Sequence, residues 1–194
     1  MTLRLGVVLL AAGRSSRFGE NKLLVEFGGR PMVCHAMEAA KALGAARTAV
    51  VTGCEEIALL TTGQGFQVIA NDAPQQGQAH SIVLGVRAMQ DMDAVLLMVC
   101  DQPCLTHASL MRLVQRFSCS RKGIACLRDG THWGNPAVFD RRFFGELTAL
   151  DGDRGAKRVL CAHEEELLVV DTVLPDELAD ADTPDALETL RKRT

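Results

Sequence analysis

A run of apolar residues, Leu5-Gly6-Val7-Val8-Leu9-Leu10, passes directly into Ala11-Ala12-Gly13-Arg14-Ser15-Ser16-Arg17-Phe18-Gly19-Glu20-Asn21-Lys22. Six residues without a polar side chain, rich in β-branched and aliphatic types, read as a strand buried on both faces, as central parallel strands are. The segment that follows carries two glycines, two arginines, two serines and a lysine. A buried strand opening into such a loop sets unhindered backbone N–H groups and cationic side chains at the carboxyl edge of a sheet. Open α/β sheets bind their ligands there. Backbone donors with Arg and Lys suit a polyanion, most simply a phosphate chain.

Two phosphate loops are excluded by spacing. A Walker A loop needs Gly, four residues, then Gly-Lys-Ser/Thr, whereas five residues separate Gly13 from Gly19 and Lys22 follows three later. A dinucleotide fingerprint needs G-x-G-x-x-G, which the loop lacks.

Further along, strands predicted at Thr48–Thr52 and Phe66–Ala70 alternate with helices predicted from Pro31 to about Ala42 and from Glu55 to Leu60, the pattern of parallel β-α-β units. Pro31 suits a first helical turn and Gly44 a helix stop. Ala94–Cys100 (AVLLMVC) is the most continuous apolar run and ends in Asp101-Gln102-Pro103. A carboxylate at the end of a buried strand is costly without a partner, and a divalent cation is one such partner. The alternative is that Asp101 starts the turn of a helix over Leu105–Phe117, for which Thr106 is the better N-cap. Gly123–Leu127 and Glu166–Asp171 read as strands, Asp129–Pro136 as a loop before Ala137-Val138-Phe139, Arg141–Leu150 as helical, and a further helix runs to Ala162. The expected architecture is a single-domain α/β, Rossmann-like three-layer sandwich over residues 1–194, with a mostly parallel sheet flanked by helices.

Composition limits the function classes. At 194 residues, 47% hydrophobic and 23% charged, the chain is expected to be a soluble globular domain, and no apolar run approaches the ~20 residues of a membrane span. Met1-Thr2-Leu3-Arg4 lacks a signal-peptide core, so a cytoplasmic location is expected. A net charge of −3 argues against a nucleic-acid partner. The seven cysteines (34, 54, 100, 104, 119, 126 and 161) are odd in number, scattered and without a C-x-x-C pair, which reads as structural thiols.

The pattern L-A-A-G-x-S-x-R-x-G-x-x-K, Leu10 to Lys22, resembles the signature loop of the nucleotidyltransferases that build nucleoside-diphosphate sugars and related cofactors. Leu10-Ala11-Ala12-Gly13 is similar to the molybdenum cofactor cytidylyltransferases among the MobA-type NTP transferases. Guanylyl-transferring relatives tend to read Leu-Ala-Gly-Gly, so Ala12 points to a pyrimidine nucleotide. The resemblance extends to Asn71-x5-Gly77-x3-Ser81, to Asp101-x-Pro103, to Gly152-Asp153-x-Gly155-Ala156-Lys157 and to Asp180-Ala181-Asp182-Thr183-Pro184. The family's Gly-His-Pro stands here as Gly134-Asn135-Pro136, with His132 nearby, so no role of that histidine is carried over.

The resemblance implies transfer of CMP from CTP to the terminal phosphate of molybdopterin or its metal-loaded form, with a molybdenum-containing oxidoreductase as client. Leu10, Ala11, Ala12, Gly13, Arg14, Ser15, Lys22, Asn71, Gly77 and Ser81 are the implied nucleotide ligands. Lys22, Arg17 and Asp101 are the implied catalytic residues. Asp101 and Asp182, with Asp180 as alternative, are the implied ligands of Mg²⁺ or Mn²⁺. Trp133, Asn135, Pro136, Asp153 and Lys157 are placed on the acceptor side. From the residues alone, Ser81 equally suits an N-cap, Trp133 a loop cover, and 178–187 an acidic linker with a Thr-Pro helix start. GTP or a sugar phosphate as substrate, and a non-catalytic cofactor carrier, are the rival readings.

Overall fold

The computed structural model describes residues 3–13, 21–152 and 155–192. The first strand, β1 (Leu5–Leu10), is buried along nearly its whole length. A short hairpin, β2 (Glu26–Phe27) and β3 (Arg30–Pro31), turns through Gly28 and Gly29. Both glycines hold positive φ, +56° and +81°, the backbone a two-residue hairpin needs and side chains resist. The chain then forms α1 (Met32–Lys41), β4 (Arg47–Thr52), α2 (Glu55–Gly63), β5 (Gln67–Ala70), α3 (Gln78–Arg87), β6 (Ala94–Val99) and α4 (His107–Ser118). It ends with β7 (Ile124–Asp129), β8 (His132–Asp140), α5 (Phe144–Thr148), α6 (Lys157–Ala162), β9 (Leu167–Asp171) and α7 (Pro184–Arg191).

Among the described residues the main sheet has seven strands in the order β5-β4-β1-β6-β8-β7-β9. β1 pairs in parallel with both β4 and β6, so the chain works outward on one side of β1 and then crosses to the other. That reversal places a crevice outside the carboxyl ends of β1 and β6. Their register aligns Leu10 with Val99, so Gly13 and Asp101 leave the sheet at the same edge. β8 runs antiparallel between β6 and β7, while β9 is parallel to β7, giving a mixed sheet with a mostly parallel half.

Alternation along β1 and β6 divides the core. Val7 and Leu9 with Leu96 and Met98 meet Val33, Met37, Leu110 and Leu113 of α1 and α4. Val8 with Val95 and Leu97 meets Ile82 and Val86 of α3, Phe144 and Leu147 of α5 and Leu160 of α6. The result is the expected three-layer sandwich. A third cluster joins Phe27, Met32 and Ala181 to Leu187 and Leu190 of α7, docking the C-terminal helix beside the hairpin.

α3 lies close to β1 because position 85 has no side chain. A Cβ there would stand 2.4 Å from Val8 Cγ1, in the fully buried centre of the sheet. Gly85→Ala is expected to cost about 1–3 kcal/mol by overpacking, more than the roughly 1 kcal/mol alanine gains in helix propensity. Urea unfolding of the two proteins measures the balance.

Several local expectations are corrected. Asp129–Pro136 is not a loop: only Gly130-Thr131 turns, and β8 starts at His132 because the antiparallel partner β7 continues to Asp129. Arg141–Leu150 is a 3₁₀ turn, Arg141–Phe143, followed by the five-residue α5, not one helix. Ser81 lies inside α3 and does not cap it. Residues 178–182 are irregular and α7 starts at Pro184 behind Thr183, as the linker and Thr-Pro reading expects. Ala181 is fully buried and donates its N–H to the Asp101 carbonyl at 2.9 Å, a contact that suits a small side chain and an irregular backbone.

Candidate active site

The end of β1 with Gly13 and the end of β6 with Asp101 border one crevice, and Lys22 reaches into it. Lys22 opens a single 3₁₀ turn, Lys22–Leu24, capped by Asn21, whose Oδ1 accepts from Leu23 N at 3.1 Å. Leu23 is buried and anchors the turn, so the Lys22 side chain is delivered toward the edge of the sheet. Its Nζ donates to Asp101 Oδ2 at 2.6 Å and to Asp182 Oδ1 at 2.7 Å. Burial disfavours the Lys22 charge, but attraction and hydrogen bonding to Asp101, reinforced by Asp182, outweigh it and hold the pKa above the usual lysine value. Lys22 is therefore an ammonium at neutral pH.

Asp182 arrives from the other end of the chain. Thr183 accepts from Ala186 N at 3.1 Å and Pro184 follows at the first helical position, so α7 starts immediately after Asp182. The Ala181–Asp101 backbone bond ties this segment to the β6 loop. Gln102 adds a second tie: Nε2 donates to Asp180 Oδ1 at 3.0 Å and to the Leu178 carbonyl at 3.3 Å, and Oε1 accepts from Asn135 Nδ2 at 3.3 Å. Burial, then the neighbouring Asp101 charge, pushes the Asp180 carboxyl above the usual range.

Two cavities meet at Asp101. One, of about 420 Å³, is lined by Leu10, Ala12 and Gly13 from the end of β1, by Lys22, by Pro74, Gln75, Gly77, Gln78 and Ser81, and by Asp101. The other, of about 410 Å³, shares Gln78, Val99 and Asp101 and adds Gln102, Thr131, His132, Trp133, Asn135, Lys157, Asp180 and Asp182. Lys157 Nζ lies 4.4 Å from the centroid of the Trp133 ring, a cation–π contact in the wall of the second cavity. A polyanion beside Lys22 and an acceptor beside Lys157 would thus present their reacting groups on either side of one carboxylate.

Leu10, Ala12, Gly13, Lys22, Gly77 and Ser81 line the first cavity as a group, and Trp133, Asn135 and Lys157 line the second with Asp101 and Asp182. Ala11 is buried and its N–H bonds the Val51 carbonyl, so it extends the sheet. Asn71 is also buried: its Oδ1 accepts from Ala73 N and its Nδ2 donates to Ser81 Oγ, both at 3.0 Å, so it shapes the loop from behind. Gly77 has φ +83° and ψ −175°, a conformation other residues rarely adopt, and it turns the loop into α3. Pro136 is buried in β8, joined to Asn135 by a cis peptide bond. Arg14, Ser15, Arg17 and Asp153 lie outside the described residues.

Three site residues escape a reading of the sequence. Gln78 lines both cavities, Gln102 cross-links Asp180 to Asn135, and Glu177 holds the segment that carries Asp182. Only Gln102 had a signal, its place between Asp101 and Pro103. Glu177 Oε2 accepts from Thr106 N and Oγ1, both at 2.8 Å, and Oε1 from Ser109 Oγ at 2.8 Å and Leu174 N at 2.7 Å.

The donor set fits a hard divalent cation. Asp101 and Asp182 converge within hydrogen-bond distance of one ammonium, and Asp101 Oδ1 is buried without a hydrogen-bond partner. No group of three or more His, Cys, Asp or Glu able to hold a metal occurs among the described residues. A pair of carboxylates is what Mg²⁺ usually takes from a protein, completing its shell with phosphate and water. The neighbouring Cys100 does not compete: it is fully buried, and burial, aided by Asp101, raises its thiol pKa.

Residues 7–167 match the MobA-like NTP transferase domain. The chain belongs to that family. The MobA-like domain is 28% identical to the purine catabolism protein PucB of Bacillus subtilis over 95% of both chains. It is 28% identical to a probable molybdenum cofactor guanylyltransferase of Pyrococcus horikoshii, covering 69% of this chain and 65% of that one. A crystal structure of Rv0371c from Mycobacterium tuberculosis in complex with manganese superposes with a TM-score of 0.78 at 25% identity, covering 98% of this chain and all of the other. Matches to the bifunctional protein GlmU reach 35% identity, in Rhizorhabdus wittichii, but the chain spans only a quarter of that relative's length. The MobA-like domain is thus an NTP transferase domain, and no helix among its described residues is long and apolar enough to cross a membrane.

Proposed function

We propose that this nucleotidyltransferase moves CMP from CTP to the terminal phosphate of molybdopterin or its metal-loaded form, releasing pyrophosphate. The observation that carries the reading is Lys22 Nζ bridging Asp101 and Asp182 where the two cavities join. An acceptor phosphate oxygen attacks the α-phosphorus, the bond to the oxygen bridging α and β breaks, and pyrophosphate leaves with the electron pair. A phosphate monoester is already largely ionised near neutral pH, so no general base is needed.

Gly13 and the backbone around Gly77 border the triphosphate cavity, and Lys22 neutralises charge that grows on the transferred phosphate. Asp101 and Asp182 would hold Mg²⁺ or Mn²⁺, which supplies Lewis-acid stabilisation and a template for the two substrates. Manganese in the Rv0371c structure supports this assignment. Lys157 and Trp133 receive an anionic, planar acceptor, and Asn135 with Gln102 offers amide contacts beside it. The rate then rests on alignment and charge stabilisation.

Ala12 in the wall of the first cavity supports the cytidylyl reading, and the Pyrococcus relative supports molybdenum cofactor as acceptor. That same relative's guanylyl specificity keeps GTP as the second reading. The deciding experiment follows pyrophosphate release with CTP or GTP, with molybdopterin or a sugar phosphate. Release with CTP, molybdopterin and Mg²⁺ is the expected result. EDTA is expected to stop it and excess Mg²⁺ or Mn²⁺ to restore it. Release with GTP alone overturns the base assignment, and cofactor binding with no release under any condition marks a carrier.

A further inference from the structure

We propose that Lys22 is the resident cation of the Asp101–Asp182 pair in the nucleotide-free protein, so that a divalent metal enters after a nucleotide phosphate draws the ammonium away. The inference rests on the metal assignment of the preceding section. Its substance is an order of binding built into one side chain.

Both carboxylates place an oxygen on the same nitrogen, at 2.6 and 2.7 Å. A metal using these oxygens and Lys22 Nζ cannot occupy the space between the carboxylates together. Charge makes the competition costly for the metal: an ammonium a few ångströms from a divalent cation repels it strongly in a partly buried site. The ammonium is also an incomplete partner. Among the described residues one ammonium contacts both carboxylates, and Asp101 Oδ1 is buried without a hydrogen bond. The pair is therefore blocked but not saturated.

Displacement needs no rearrangement of the fold. Lys22 sits in the wall of the nucleotide cavity on a flexible four-carbon stem, while the backbone beneath it is pinned by Leu23 and the Asn21 cap. A phosphate in that cavity offers the ammonium oxygens at another place. Its departure from the carboxylates leaves two negative oxygens facing each other, the arrangement a divalent cation stabilises. Nucleotide and metal binding are then positively coupled, and the coupling is reciprocal.

The test is direct Mn²⁺ binding, read from the electron paramagnetic resonance signal of free Mn²⁺, with no acceptor and no turnover. The nucleotide-free protein is expected to bind Mn²⁺ weakly. Lys22→Met and Lys22→Gln are each expected to bind it about tenfold tighter or more, as loss of one adjacent positive charge requires. Lys22→Arg should stay near the original affinity, and Asp101→Asn added to Lys22→Met should cancel the gain. In the unaltered protein, saturating CMP, itself a weak chelator, should tighten Mn²⁺ binding, and do so less in Lys22→Met. Equal Mn²⁺ affinity of the unaltered and neutral variants, or no effect of CMP on the unaltered protein, overturns the proposal. Because nothing turns over, either result leaves the choice of CTP and acceptor to the pyrophosphate assay.

Discussion

Lys22→Ala is expected to lower kcat/KM for pyrophosphate release by about 10²- to 10³-fold, the usual cost of removing one donor aimed at developing charge. Asp101→Asn should fall at least as far, because it removes one of the two carboxylates that would hold the metal beside the transferred phosphate. Asp182 is half exposed and can turn to water when Lys22 is lost, so that pair is worth little, whereas the mostly buried Asp101 loses its partner and carries the stability cost of Lys22→Ala. Lys22→Arg keeps the charge but presents a planar fork in place of a compact ammonium, and partial recovery is expected. Steady-state kinetics beside thermal unfolding separates the two effects. Near-normal turnover in Lys22→Ala or Asp101→Asn removes the assignment.

Glu177→Ala should show the opposite balance, with a loss of about 3–4 kcal/mol of folding stability. Glu177 is 1% exposed and accepts four hydrogen bonds, from both the backbone and hydroxyl of Thr106, from Ser109 and from Leu174. Two of those partners, Thr106 and Ser109, belong to the start of α4, where a carboxylate also meets the positive end of the helix dipole. Removing it strands buried donors at about 1–3 kcal/mol each, partly relieved by water entering the space. In a chain of this size the melting temperature should drop by roughly 6–15 °C. Below that temperature activity should also weaken through a raised Mg²⁺ requirement, since Glu177 fastens the segment that carries Asp180 and Asp182. A melting temperature within about 2 °C of the original would show that the four bonds carry no weight.

The strands with continuous apolar runs were legible without coordinates, because burial on both faces requires such runs wherever a parallel strand is central. Leu5–Leu10 and Ala94–Val99 are these strands, and they are neighbours in the sheet. β8 was not legible in full. His132, Gly134 and Asn135 are polar or turn-prone, and pairing of this stretch with β7 makes its backbone extended. Trp133 thereby moves from a surface loop to the wall of the second cavity, over Lys157. The resemblance makes Asn71 and Ser81 nucleotide ligands alike, yet only packing shows that one shapes the loop and the other meets the cavity.

What the amino-acid sequence determined by itself was the alternation of strands and helices, the glycine-rich cationic composition of the segment after the first strand, and the carboxylate at the end of the central one. These are local properties: periodicity, turn chemistry and the cost of burying charge act within a few residues. What only the tertiary structure decided was that Lys22, Asp101 and Asp182, separated by 79 and 160 positions from Lys22, share one point. Glu177 and Gln102 have meaning only there as well. Their partners are distant in the chain, and hydrogen bonds across such separations follow from how the layers pack rather than from any spacing along the chain.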